Sequence, residues 1–325
     1  MQSHSLDAFE KWVSLPPDDL DFVLPNLFDP DAGSYYVNPR YLRGSDFLMR
    51  WSQGRWSEEV VIEAFGRHHN WKALPFGPSS VAPEDPKELE MYFERLEASG
   101  VGKRPDLLIF EANTYESIQA VVKRIGIQNI PFTPEQELQF VINKAVCAVE
   151  VENSLWVSKA MPHYGKGRPS KLDPKLTVFL RSQKVPTVIV KDEDLKPLRA
   201  WQKKWKIPLY IFHVFYDQGF FISFNRALSL VRKRIVEVTE QTFFAPGGAT
   251  TTKGIYKIWY SLASPLGEIV QQPELRSKVV QDRNGHILPY VHFSGGRLEL
   301  SAEVERELES LARQKQGSPQ AGAVR

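Results

Sequence analysis

Apolar positions along this chain keep two rhythms, and the switching between them suggests how it is built. After Gly54, the residues Trp56, Val60, Val61, Ala64 and Phe65 recur at helical spacing, with Ser57 as the N-cap candidate. Leu89, Tyr92, Phe93 and Leu96 make one face of an acidic helix over 84–99, closed by Gly100 and Gly102. Short apolar runs at 107–110, 145–151, 186–191, 209–216 and 220–224 read as buried strands. The last two join through Asp217-Gln218-Gly219 as a hairpin or a strand–turn pair. Between them, 115–125, 133–143, 194–206 and 225–233 read as helices, the second with Thr133 and Pro134 at its cap and first position. Strands separated by helices predict an α/β (α+β) fold, a mixed central β-sheet flanked by helices.

The ends of the chain carry weaker patterns. Punctuation such as Leu15-Pro16-Pro17-Asp18-Asp19 breaks the periodicity of 1–45, which predicts short helices and loops packed on a larger body. Beyond 233 the pattern is mixed, and Gly, Ser, Pro and Gln in 314–325 predict a disordered tail. The expected division is an N-terminal helical and loop segment over 1–53 packed on the core, a main domain over 54–313, and the tail.

Composition narrows the chemistry. With 325 residues, 42% of them hydrophobic and 25% charged, the chain can bury a sizeable core. No run approaches the roughly 18–20 apolar residues that span a bilayer, and residues 1–10 lack the basic start and apolar stretch of a signal peptide. An intracellular protein is therefore expected. Cys147 is the only cysteine, which excludes an internal disulfide and a cysteine zinc site, and its apolar neighbours predict burial. The seven histidines include no His-x-x-x-His pair, so any metal here would take oxygen ligands.

The acidic residues beside the strands are the candidates for chemistry. Asp106 opens one strand directly after Pro105, while Glu150 and Glu152, two apart on another, project to one face of a sheet. If the strands are neighbours, three carboxylates converge, and a hard divalent cation such as Mg²⁺ is the usual compensation. Such an ion serves phosphodiester hydrolysis. The residues alone leave a second reading open, in which these acids are salt-bridge partners of Lys103 or Arg104.

Five ordered blocks carry a resemblance: Gly102-Lys103-Arg104-Pro105-Asp106-Leu107-Leu108-Ile109-Phe110, then 150–156, Met161-Pro162, 186–194, and His213-Val214-Phe215-Tyr216-Asp217. Together they resemble type II restriction endonucleases of the AccI and XcyI kind, within the PD-(D/E)XK superfamily, over 54–296. The resemblance implies a PD-(D/E)XK restriction-endonuclease-like core, with 54–313 as a nuclease domain bearing DNA-binding insertions. It implies site-specific hydrolysis of double-stranded DNA with Mg²⁺, or Mn²⁺ in its place, leaving 5′-phosphates. Asp106, Glu150 and Glu152 become the catalytic residues, and Asp106, Glu150 and the Val151 carbonyl the metal ligands. Glu152 stands where the family most often has lysine, so Lys159 and Lys191 are candidates for the missing positive charge. Glu58 is a candidate for a further carboxylate from the leading helix.

For the DNA contacts the basic stretch 159–184 is the natural place to look. It carries Lys159, Lys166, Arg168, Lys171, Lys175, Arg181 and Lys184 against Asp173 alone, although a solvated surface loop has the same composition. Residues 247–253 lack the residue order of a P-loop, and Lys253 there is instead a candidate for a DNA contact. The implied partners are a two-fold homodimer, suited to palindromic sites, and a cognate DNA methyltransferase, in a prokaryotic cytoplasm without membrane attachment. The alternatives are a repair or structure-specific nuclease of the same core, and a non-catalytic DNA-binding protein.

Overall fold

The computed structural model of the protein describes residues 28–29, 34–35, 45–78, 86–154, 156–165, 184–244, 250–281 and 287–317. Two short strands, β1 (Phe28–Asp29) and β2 (Ser34–Tyr35), pair with each other. Then follow α1 (Ser45–Arg67), β3 (Trp71–Pro75), α2 (Pro86–Ala98), β4 (Leu107–Glu111), α3 (Ala112–Ile125), α4 (Gln139–Lys144) and β5 (Cys147–Asn153). The chain continues through β6 (Thr187–Lys191), α5 (Asp192–Trp205), β7 (Leu209–Val214), β8 (Gln218–Ser223) and α6 (Phe224–Arg232). It closes with β9 (Glu237–Phe244), β10 (Thr250–Trp259), β11 (Ser264–Gln271), β12 (Glu274–Gln281), β13 (Ile287–Ser294), β14 (Arg297–Leu300) and α7 (Ala302–Gly317).

The protein is mixed α/β, organised on a seven-stranded sheet of order β14-β11-β8-β7-β5-β4-β3. Its β5–β7 pair is parallel and the other neighbours are antiparallel. Alternation along each strand divides the interior into two cores. Leu107, Ile109, Val149, Val151, Phe212 and Val214 face α1 and α7, where Trp56, Val60, Phe65, Val304 and Leu308 cover them. Leu108, Phe110, Ala148, Leu209 and Ile211 face the other way, toward Leu198 and Trp201 of α5, Val188 and Val190 of β6, and Ala227 of α6. Cys147 is buried, as its neighbours predicted.

Several elements differ from the sequence reading. Helix α1 starts at Ser45 and runs through Gly54, so Ser57 is not a cap; its hydroxyl donates to the Gly54 carbonyl at 2.6 Å inside the helix. Gly54 faces Asn153 at the end of β5, where an added Cβ would lie 3.6 Å from the Asn153 amide nitrogen. The helix read over 133–143 is regular only from Gln139; before it the Glu137 and Gln139 amides donate three residues back, to the Pro134 and Gln136 carbonyls, in tighter turns. Strand β6 does not join the central sheet. It pairs with β10 in a separate sheet of order β6-β10-β9. The remainder read as mixed is strand-rich, and α7 extends to Gly317, past the expected start of the tail. Residues 318–325 lie outside the described residues, as do most of 1–44.

Candidate active site

Continuing the β4–β5 register one step beyond Leu107↔Val149 sets Asp106 opposite Glu150. Glu150 and Glu152 alternate with Val149 and Val151, so both point away from α1 and into the face covered by α5 and β6. All three acids are buried, at 5%, 4% and 5% exposure. The Val151 amide donates to Asp106 Oδ2 at 2.8 Å, and the Phe76 and Gly77 amides donate to the Asp106 carbonyl at 2.8 and 2.9 Å. Asp106 is thereby fixed at both its side chain and its backbone. The Val151 side chain packs on the opposite core.

The structure adds an acid that the sequence reading placed only at a helix start. Asp194, in the first turn of α5, is buried, and Glu150, Glu152 and Asp194 each offer a carboxylate oxygen within 4.8 Å of the others. Asp106 is not one of that set. It borders it closely enough for its charge to act on Glu150.

Two lysines enter the cluster. Lys103 Nζ donates to Glu150 Oε1 at 2.5 Å and lies 3.8 Å from Asp194 Oδ1. Lys191 Nζ donates to both oxygens of Glu152, at 2.8 and 2.9 Å. Burial first, then the charges of Asp106, Glu152 and Asp194, hold the Glu150 carboxyl well above the usual carboxylate range, with Lys103 opposing them. Burial likewise raises Glu152, with Lys191 opposing. Burial alone would depress both lysines, but the carboxylates around them more than reverse this, so both stay protonated. Glu150 Oε2 is buried and accepts no hydrogen bond from the described residues. His213 lies beside Glu152 in the β5–β7 register; its Nδ1 accepts from the Ile189 amide at 3.3 Å, and burial, then the Lys191 charge, push its pKa down to about 3.

The remaining candidates are placed elsewhere. Arg104 turns away from the acids, donates to the Ile130 and Thr133 carbonyls at 3.1 Å each, and stacks 4.7 Å over the Phe76 ring. The salt-bridge reading therefore holds for Lys103 and not for Arg104. Lys159 is held on Glu268 at 2.6 Å, and Lys253 is paired with Glu193. Of the two lysines considered for the missing charge, Lys191 is the one at the cluster. Glu58 is buried on α1, and after burial itself its charge is the main cause raising the phenol of Tyr92. Lys166, Arg168 and Lys171 lie outside the described residues.

Among the described residues, four carboxylates and two ammonium groups converge here, and no donor is soft. The set suits a hard divalent cation with oxygen ligands, and Glu150 Oε2 offers such an ion a ligand that no described residue has claimed. No helix among the described residues is long and apolar enough to cross a membrane. A family model described as AccI restriction endonuclease matches residues 38–166 and 180–315. No curated protein and no solved structure matches the chain significantly.

Proposed function

Since the chain belongs to the AccI restriction endonuclease family, and so to a family of nucleases, we propose that it is a type II site-specific enzyme that hydrolyses double-stranded DNA with Mg²⁺ and leaves 5′-phosphates. The buried acidic cluster is its active site. In this reading the central sheet is a PD-(D/E)XK core, built from α1, β3, β4, β5, α5 and β7 in chain order, and the nuclease domain expected over 54–313 widens to 45–317 to keep α1 and α7 whole. The observation that carries it is the excess of carboxylate over ammonium, among the described residues, in a buried site with a carboxylate oxygen that none of them has claimed.

Asp106, Glu150 and Asp194, with the Val151 carbonyl as a further ligand, would hold the cation, and Glu152 stands beside it. Once bound it would neutralise charge on the phosphodiester and acidify a water, and Mn²⁺ suits the same donors. The protein's own groups supply the rest. Glu152, whose affinity for a proton is raised by burial, accepts the proton of the attacking water. Lys191, at 2.8 Å, keeps Glu152 ionised between turnovers and supplies the positive charge that the family's lysine would bring. Asp106 is held in place by the Val151 amide and by the close approach of Gly77. A two-fold homodimer would bring one such site to each strand of a palindrome, in a cell that also carries the cognate methyltransferase.

Digestion of a long defined DNA with Mg²⁺ tests the reading. Discrete bands bearing 5′-phosphate are expected, with Asp106→Ala and Glu150→Ala inactive yet folded and able to bind DNA. Full cleavage by either variant overturns the site. A smear or junction-only cutting points to a repair or structure-specific nuclease, and binding without cleavage under any metal points to a non-catalytic DNA-binding protein.

A further inference from the structure

Lys103 belongs to no helix or strand. It lies between α2 and β4 and reaches into the cluster from outside, its side chain 34% exposed while the Glu150 side chain it meets is 5% exposed. Its ammonium is 2.5 Å from Glu150 Oε1 and 3.8 Å from Asp194 Oδ1, so it bridges two of the three acids whose oxygens gather within 4.8 Å. Lys191 differs, because both of its hydrogen bonds go to a single carboxylate, Glu152. The Lys103 contact also leaves Glu150 half satisfied, with Oε2 unbonded by any described residue.

An ammonium in that position takes up donor capacity and charge that a divalent cation also requires. Resting on the reading of the cluster as a metal site, we propose that Lys103 is a displaceable counter-ion, which holds Glu150 and Asp194 together in the metal-free protein and gives them up when a divalent cation binds. Without a cation, like charges packed this closely oppose folding, and Lys103 offsets that cost until the metal arrives. Its four-carbon stem is flexible, the side chain is one third exposed and the residue lies outside both strands, so rotation of the stem alone suffices to take the head out of the cluster. The freed ammonium is then left at the mouth of the site, where a phosphate backbone must approach. Lys103 acts as a positioning residue for the acids and competes directly with the metal.

Calorimetric titration of Mg²⁺ and Ca²⁺, without DNA, into wild type, Lys103→Met, Lys103→Arg and Glu150→Gln separates the possibilities. Lys103→Met is expected to bind the ions at least tenfold more tightly than wild type, to melt lower without metal, and to gain more in Tm from Ca²⁺. Lys103→Arg should bind no more tightly than wild type, and Glu150→Gln at least tenfold less tightly. Should Lys103→Met fail to gain affinity while Glu150→Gln loses it, Lys103 is a plain structural partner and the proposal is overturned, with the metal site intact. Unchanged binding in Glu150→Gln overturns the metal site, and the proposal with it. Amine-reactive footprinting of the wild-type protein needs no variant: Lys103 should label faster with Mg²⁺ than without, and equal labelling overturns its displacement.

Discussion

Alanine at Gly77 would test whether Asp106 is held in place as tightly as its contacts imply. The Gly77 amide donates to the Asp106 carbonyl at 2.9 Å, and a Cβ added there would lie 2.8 Å from Asp106 Cα and 3.0 Å from both Asp106 Oδ1 and the Pro105 carbonyl oxygen. Comfortable carbon contacts begin at about 3.5 Å, so relief requires a shift of roughly 0.7 Å. Two of the three obstructing atoms are backbone, and the third is the carboxylate itself, so the shift falls on the residue that matters. Overpacking of this kind costs about 1–3 kcal/mol, and misplacing a catalytic group by ~1 Å costs on the order of 100-fold in rate. Gly77→Ala should therefore cleave a defined duplex roughly 100-fold more slowly in single-turnover assays, with Tm lower by several degrees and DNA affinity nearly unchanged. Gly66 is the matched control, since a Cβ there meets nothing within 4 Å. Gly66→Ala, near the end of α1, should keep full activity and gain up to about 1 kcal/mol. Wild-type rate and Tm in Gly77→Ala would refute the reasoning. A lower Tm with an unchanged rate per folded molecule would confine Gly77 to packing.

Other outcomes follow from the same geometry. Asp194→Asn should weaken Mg²⁺ binding at least tenfold by calorimetry without lowering the Tm of the metal-free protein, because it also removes a like charge beside Glu150. Lys191→Met removes the group that lowers the Glu152 pKa, so the acid limb of the pH–rate profile should move to higher pH, and Lys191→Arg should restore part of the shift. Glu150 and Glu152 hold their protons more tightly folded than unfolded, so the stability these two contribute to the metal-free protein is fully present below the ordinary carboxylate range and falls as pH rises through their raised values. Melts from pH 5 to 8, with and without Ca²⁺, would check this, the ion abolishing the fall. His213 is the opposite case: its folded pKa of about 3 lies below the ordinary 6.5, so stability should be lost as pH falls through that interval, at up to ~1.4 kcal/mol per pH unit. His213→Phe should flatten that acid limb in urea titrations.

The strand carriers of the site were legible because burial on both faces of a central sheet leaves a local trace. Runs such as Leu107–Phe110 and Cys147–Val149 can only be interior, and acids set into them at a period of two are conspicuous. Asp194 left no such trace. With Asp192 and Glu193 it forms an acidic first turn of the kind that suits any helix start, and its burial depends on β6 leaving the central sheet to pair with β10, a tertiary fact. The start of α1 is not legible because Gly54 reads as a stop, whereas the helix runs straight through it. Strand β11 was missed for a related reason: Pro265 and Gly267 interrupt its alternation, and its register shifts beside both neighbours. Basic residues are legible by type, but their partners are not. Lys159 and Lys253 read as phosphate contacts and are found in ion pairs with Glu268 and Glu193.

The parallel pairing of β5 with β7 has a consequence for when this site comes into being. Asp106 and Glu150 can meet as soon as β4 and β5 pair across the connection that carries α3 and α4, but Lys191 and Asp194 are delivered only by the crossover that leads on to β7. Closing such a long connection is among the slow steps of folding. A nascent chain that has emerged only as far as β5 therefore carries the first three acids beside an unpaired strand edge, without Lys191 to compensate Glu152 and without Asp194. Assembly of the acidic cluster is thus coupled to completion of the sheet, so that on the proposed reading of the cluster a partly synthesised chain has no finished metal site.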